Sequence, residues 1–362
     1  MATTSPVRVV VADDSALMRN IVARSLTKAG LEVVGSARDG DEALALCERE
    51  RPDAMTLDLT MPGLDGLGVL RILRERTDTN IPVVVVSAFS AAHGARAVDA
   101  LAEGAFDLVS KPTASESLDS FIEALGTKVK QAAASRRKPR PAATAGGAEA
   151  PARRAPWAPE PPARAPRRSP AASKVARLVV IATSTGGPRA LAALVPKLPA
   201  PLGLGTLIVQ HMPAGFTGSL ATRLNAASAL NVIEATGGET IDSRTALLAP
   251  GGSHLRLAQD ARTARLSDDP AIGGLRPRAD LLIQDAARAY RDRLLLVVLT
   301  GMGSDGLAGA REVRRNGGRI LVESEESCTV YGMPRAIVEA GLADEVHDLG
   351  RLAEIIASEV RA

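Results

Sequence analysis

The sequence predicts an α/β chain: two doubly wound parallel-sheet domains, one flavodoxin-like and one Rossmann-like, joined by a disordered linker. Apolar, β-branched runs such as residues 7–12 and 294–299 carry no polar alternation, as strands covered on both faces of a parallel sheet should not. These runs alternate with helical patterns of period 3.6, which is the signature of βαβ units. The alternation is broken once, by residues 131–174, where Ala, Pro and Arg replace the large aliphatics. That tract holds nine prolines, one aromatic (Trp157), and ten Lys or Arg against Glu149 and Glu160, so it carries +8 and leaves −5 on the rest of the chain. Such a composition reads as a semi-rigid, self-repelling linker. The expected domains are therefore 1–130 and 175–362.

In the first domain the expected strands are 7–12, 32–36, 54–59, 83–87 and 106–109, with helices near 41–50, 67–74, 91–101 and 116–128. A further helix carries Met18, Ile21, Val22 and Leu26 at helical spacing and ends near Gly30. Five β-α repeats in so short a stretch argue for helices on both faces of the sheet. The second domain opens with a strand at 177–181, continues through 205–210 and has its most hydrophobic strand at 294–299.

Composition excludes several classes. In 362 residues, 46% are hydrophobic, enough for real cores. Two cysteines, Cys47 and Cys328, make no disulfide framework. No apolar run approaches the ~20 residues of a membrane span, and the opening MATTSPVRVVVADDS lacks the apolar core of a signal peptide. The expectation is a soluble, cytoplasmic protein with no membrane insertion. A basic tract can track nucleic acid, but this one offers neither a stacking platform nor a recognition helix. Residues 175–362 are too long and strand-rich for a helix-turn-helix output, and they are not basic, so no nucleic-acid partner is expected.

In a doubly wound sheet, ligands bind at the carboxyl ends of the strands. In the first domain that edge collects Asp13 and Asp14, then Asp58, Ser87 and Lys111. Clustered carboxylates repel one another and need a cation; hard oxygen donors suit Mg²⁺. Asp58 can accept a phosphoryl group as an acyl phosphate, with Lys111 offsetting the charge and the Ser87 hydroxyl bonding a phosphate oxygen. Taken singly, Asp13-Asp14 reads better as a cap of the helix beginning at Ser15 and Lys111-Pro112 as an ordinary strand exit; together, all at strand ends in the right order, they favour the phosphoacceptor reading.

In the second domain Ser184 sits in the strand-to-helix turn TSTGGP, where Gly186 and Gly187 allow close backbone approach and Pro188 fits a first helical turn. A helix N-terminus favours developing negative charge. The turn has neither the G-x-S-x-G spacing nor that of a glycine-rich phosphate loop. A serine nucleophile requires a base. Of the four histidines, His93 lies in the first domain, His347 in the terminal strand region and His254 behind a Gly-Gly turn, whereas His211 ends the strand in LIVQHMPAGFT. Asp305, in LTGMGSDG after the most hydrophobic strand, can orient that imidazole.

The segments ADDS, LDLTMPGLDG, VVVSAFS and SKP resemble the receiver domain of two-component response regulators, over residues 5–127. The resemblance implies that Asp58 is the phosphoacceptor, that Asp14 and Asp58 hold Mg²⁺ with Asp13 close by, and that Ser87 and Lys111 are the switch residues. Many receivers carry Thr where Ser87 stands. Further on, IATSTGGPRAL, QHMPAGFT, LAPGGSHL, LTGMGSDG and CTVYGMPRA resemble, in this order, the chemotaxis protein-glutamate methylesterase family over residues 177–360. This second resemblance implies Ser184 as nucleophile, His211 as general base and acid, Asp305 as its orienter, and the Thr185 and Met302 loops at the oxyanion. It further implies demethylation of glutamate methyl esters and deamidation of glutamines on chemoreceptors, with no cofactor in the esterase step. A histidine kinase or other phosphodonor is the implied partner of the first domain, which is expected to block the catalytic cleft until Asp58 is phosphorylated. Thr183 departs from the usual Ala, and Leu275-Arg276-Pro277-Arg278 from a polar-Pro-Ser-Val stretch near the mouth of the site. The alternatives are a catalytically silent, phosphorylation-gated scaffold and a response regulator with another output.

Overall fold

The computed structural model describes residues 5–76, 80–88, 91–112, 117–136 and 176–360, with backbone alone at 91–93. The N-terminal domain runs β1 (Arg8–Ala12), α1 (Ala16–Lys28), β2 (Glu32–Ala37), α2 (Gly40–Glu50), β3 (Ala54–Leu57), α3 (Gly66–Glu75), β4 (Val83–Ser87), α4 (Ala91–Glu103), β5 (Asp107–Ser110) and α5 (Leu118–Arg136). Its strands form one parallel sheet in the order β2-β1-β3-β4-β5. Helices α1 and α5 cover one face and α2, α3 and α4 the other, which is why Val9–Val11 and Val83–Val86 are apolar without interruption. Side-chain caps start three of the helices: Ser15, Asp39 and Asp65 accept the N–H of Met18, Glu42 and Gly68.

All five expected strands are present, with two shifts of consequence. The third strand stops at Leu57 rather than residue 59, so Asp58 lies just past its end and its Oδ1 accepts the N–H of Leu59 at 2.8 Å. Helix α5 continues six residues beyond the expected boundary at 130, because Ala132 and Ala133 bury against the α1 side of the sheet and Arg136 donates to the Pro52 carbonyl. The expected helix start at Glu116 and the linker residues 137–174 lie outside the described residues.

The C-terminal domain runs β6 (Leu178–Thr183), α6 (Gly187–Leu194), β7 (Gly205–Gln210), α7 (Thr217–Ala227), β8 (Asn231–Glu234), β9 (Thr245–Leu248), β10 (His254–Leu257), β11 (Ala264–Ser267), α8 (Ala279–Tyr290), β12 (Leu294–Val298), α9 (Leu307–Arg315), β13 (Arg319–Glu323), α10 (Met333–Glu339), β14 (Glu345–His347) and α11 (Leu349–Glu359). Seven strands form a parallel sheet, β14-β13-β12-β6-β7-β9-β8, and β10 and β11 make an antiparallel hairpin beside it. The first strand, β6, lies between β7 and β12, so the chain winds outward from it in both directions. That reversal opens a crevice at the carboxyl end of β6. Helices α8, α9 and α10 pack on one face, and α6, α7 and α11 on the other.

The two domains meet through α4. The apolar layer under α2, α3 and α4 is continuous with that under α6, α7 and α11. At Gly94 the approach is so close that an added Cβ would sit 2.9 Å from the Gly215 carbonyl oxygen and from Ser219 Oγ. Asp99 of α4 pairs with Arg223 of α7. Beside this contact a cleft of about 650 Å³ separates the domains, lined among others by Arg74, Phe106, Gly186, Arg189 and Thr329.

Candidate active site and phosphoacceptor pocket

At the carboxyl edge of the N-terminal sheet, acidic oxygens of Asp13, Asp14 and Asp58 come within 4.8 Å of one another. Asp13 and Asp58 are buried, Asp14 is exposed. Lys111 Nζ lies 2.8 Å from Asp13 Oδ2 and 2.8 Å from Asp58 Oδ2. Burial pushes the Asp13 carboxyl above its ordinary value. Burial also works against the Lys111 ammonium, but its two carboxylate partners hold it above its ordinary value. Among the described residues the buried Ser87 hydroxyl has no hydrogen-bond partner. The Asp14 carboxylate makes no hydrogen bond among the described residues and opens to water. An all-oxygen donor set with one solvent-facing member fits a small hard cation that keeps part of its water shell.

The second constellation lies at the carboxyl ends of β12, β6 and β7. Ser184 follows β6, His211 follows β7, and Asp305 sits in the loop after β12. The register pairs Thr183 with Gln210, and the His211 N–H donates to the Thr183 carbonyl at 3.1 Å, so the serine and histidine segments leave adjacent strands side by side. His211 Nε2 and Asp305 Oδ2 are 2.7 Å apart. The other ring nitrogen, Nδ1, and the Ser184 hydroxyl make no hydrogen bond among the described residues.

Asp305 is 3% exposed, and burial alone would raise its carboxyl. The His211 ring overrides that, with help from the N–H groups of Ala279 (2.7 Å) and Asp280 (3.0 Å) at the start of α8, and the carboxyl is held at about 2. Neighbouring Asp280 is raised, chiefly by burial; its Oδ1 accepts the N–H groups of Gly306 and Gly309, tying α8 to α9.

The Ser184 turn is held from three sides. Its N–H donates to the Thr300 carbonyl at 3.0 Å, so that group is already committed and does not face an oxyanion. Thr300 in turn donates its N–H to buried Glu323 at 2.7 Å and its hydroxyl to the Thr185 carbonyl at 3.0 Å. Gln210 Nε2 donates to the Ser184 and His211 carbonyls, each at 2.9 Å, and so bridges the two loops. Among the described residues the N–H groups of Thr185 and Met302 have no acceptor. Met302 is 45% exposed at the rim. Thr185 is buried, and its hydroxyl donates to Asp107 Oδ2 of the N-terminal domain at 2.7 Å.

The structure thus brings together Asp13, Asp14, Asp58 and Lys111 at one edge, and His211 and Asp305, with Ser184 on the adjoining strand, at the other. His254 is not an exposed loop residue: it begins β10, is fully buried, and its Nδ1 accepts the Arg278 N–H at 3.1 Å. His347 pairs with Glu345 at 2.8 Å, far along the sheet. The His93 side chain lies outside the described residues. Gln210, Asp280, Thr300, Glu323 and Asp107 were not singled out from sequence. Each acts by bonding a backbone group or a residue distant in the chain, and no local spacing signals that.

Fold and site together define a response regulator whose output is an enzyme-like parallel α/β domain. Residues 9–123 match the family model described as response regulator receiver domain, and residues 179–356 that described as CheB methylesterase. The chain is 43% identical, over all of both chains, to protein-glutamate methylesterase/protein-glutamine glutaminase 5 of Myxococcus xanthus. It is 41% identical to the like-named protein of Symbiobacterium thermophilum over 98% of this chain and 97% of that one. Against the crystal structure of the Thermotoga maritima CheB methylesterase catalytic domain the identity is 41%, covering 50% of this chain and 97% of that one, with a TM-score of 0.49. The chain belongs to the protein-glutamate methylesterase/protein-glutamine glutaminase family.

Proposed function

We propose that this protein hydrolyses glutamate methyl esters on chemoreceptors, and deamidates glutamines there, through Ser184, His211 and Asp305, under control of phosphorylation at Asp58. The observation that carries the reading is the 2.7 Å bond between His211 Nε2 and Asp305 at the strand end beside Ser184. With Nε2 donating to Asp305, Nδ1 is the nitrogen left to take the Ser184 proton as the hydroxyl oxygen attacks the ester carbonyl carbon. The tetrahedral oxyanion is received by the Thr185 and Met302 N–H groups, each such donor being worth on the order of 10²–10³ in rate. His211 returns its proton to the departing methoxide, and methanol leaves. Water, deprotonated by the same ring, then cleaves the acyl-enzyme and regenerates Ser184. With an amide in place of the ester, the leaving group is ammonia.

In the receiver, Asp13, Asp14 and Asp58 would hold Mg²⁺, which when bound offsets the negative charge of an incoming phosphoryl group. Asp58 accepts that group from a kinase or a small phosphodonor. Lys111, already shared between two carboxylates, shifts to the new charge, and the unpartnered Ser87 hydroxyl gains an acceptor. Docking of α4 on α6 and α7, with Asp107 holding the Thr185 hydroxyl, supports a receiver that blocks the cleft until this switch loosens it.

The test is methanol release from methylated receptor membranes with and without a small phosphodonor. Release should rise with the phosphodonor in the wild type and vanish in Ser184→Ala, while Asp58 phosphorylation proceeds normally in both. Undiminished hydrolysis by the alanine variant overturns the assignment of the nucleophile.

A further inference from the structure

We propose that Arg278 is a positioning residue that sets the charge balance of the His211–Asp305 pair and thereby the pH range over which His211 works as a base. The inference rests on the reading of His211 as the base for Ser184. Arg278 immediately precedes α8, in the segment that departs from the family's usual polar-Pro-Ser-Val stretch. Its Nε lies 3.4 Å from Asp305 Oδ1, and its Nη2 donates to Asp280 Oδ2 at 2.9 Å. Its Nη1 donates to the Ile272 carbonyl at 3.0 Å, and its N–H is fixed by His254 Nδ1 at 3.1 Å. The guanidinium is thus held at three points, with its backbone fixed at a fourth, and spans two buried carboxylates.

The charged and titratable groups facing Asp305 come from every element packed on it: His211 from the end of β7, Asp280 and Arg278 from the start of α8, and His254 of β10 behind Arg278. From the start of α9, among the described residues, come backbone donors: Gly306 to Asp305 and Gly309 to Asp280. Two carboxylates therefore face one imidazole and one guanidinium, and a guanidinium keeps its proton. Arg278 cancels part of the negative field at the imidazole. The free ring then stays neutral, and able to accept the Ser184 proton, to lower pH. Without that charge, Asp280 and Asp305 draw a proton onto His211 sooner.

The experiment follows the labelling of Ser184 by a fluorophosphonate in the full chain kept phosphorylated by a saturating small phosphodonor, with Asp58 phosphorylation checked at each pH, from mildly acidic to mildly alkaline pH. Arg278→Gln and Arg278→Ser remove the charge by two routes, and Arg278→Lys keeps it. The acid limb of the rate should move up by about half to one pH unit in both neutral variants and stay within ~0.2 unit of wild type in the lysine variant. An unmoved limb, or a loss of rate that is uniform across pH, overturns the proposal. Absence of Ser184 labelling in the wild type defeats the underlying assignment of the nucleophile instead, and is told apart because there is then no limb to shift.

Discussion

Asp305 stays ionised in a place where burial alone would favour the neutral acid, and it does so because four donors converge on it: His211, Ala279, Asp280 and Gly306. Its carboxyl is held at about 2, below the ordinary value of an unfolded chain, ~3.9. A depressed folded value contributes stability that is complete above the unfolded value and disappears as pH falls through the folded one. The window is therefore from about pH 4 down to about 2, and the contribution is on the order of 2 kcal/mol. Asp280, raised by burial, acts in the opposite sense and offsets part of it. In Asp305→Asn the acid end of the thermal stability curve should be flatter than in wild type. The neutral amide also cannot fix the imidazole tautomer or stabilise the imidazolium, so kcat for methanol release should fall by roughly 10⁴ with the fold retained. Wild-type rates in Asp305→Asn, measured on the phosphorylated protein, would remove Asp305 from the mechanism.

At the level of elements, the site depends on how tightly the turn after β6 is folded against its neighbours. A Cβ on Gly187 would lie 1.9 Å from Gln210 Oε1 and 2.5 Å from Thr183 Oγ1, and Gln210 is the side chain that bridges the Ser184 and His211 loops. Gly187→Ala should lower thermal stability by about 1–3 kcal/mol, the range of an overpacked core, and slow Ser184 labelling by at least about tenfold through displacement of the serine. Equal labelling and an unshifted melting curve would mean that Gln210 moves aside without cost. The same packing explains what was readable in the sequence. The doubly covered strands, the glycine turn, and the serine, histidine and aspartate at strand ends follow from period and position, and all could be placed. The short strands β8 to β11 were not placed: each has four residues, and no helical pattern alternates with them as one does around the equally short β3 and β5. Nor were the supports: Glu323 reaches Thr300, and Asp280 reaches Gly309, across 23 and 29 positions. The end of α5 at Arg136 was hidden for another reason. Its last turn is Ala-rich, like the sequence that follows, and the burial of Ala132 and Ala133 that extends the helix is a tertiary effect.

At the level of the whole molecule, the proposed inhibition by docking demands an interface that is strong enough to close the cleft and weak enough for one acyl phosphate to open. A continuous apolar layer runs under α4, α6 and α7, a partly exposed ion pair joins Asp99 to Arg223, and a buried hydrogen bond joins Asp107 to Thr185 beside Ser184. Exposed pairs contribute only about 0–1 kcal/mol, but like charges set opposite each other at the same place add a repulsion to that loss. Arg223→Glu should therefore shift the docking equilibrium by about 1–2 kcal/mol and raise methanol release without phosphodonor several-fold, while leaving the phosphorylated rate unchanged. Asp99→Arg alone should do the same. Combined, the two substitutions restore an opposite-charge pair, and the low unphosphorylated rate should return. An activation that persists in the double variant would locate the effect in α7 or α4 themselves rather than between them, and docking at this surface would no longer account for the control of Ser184.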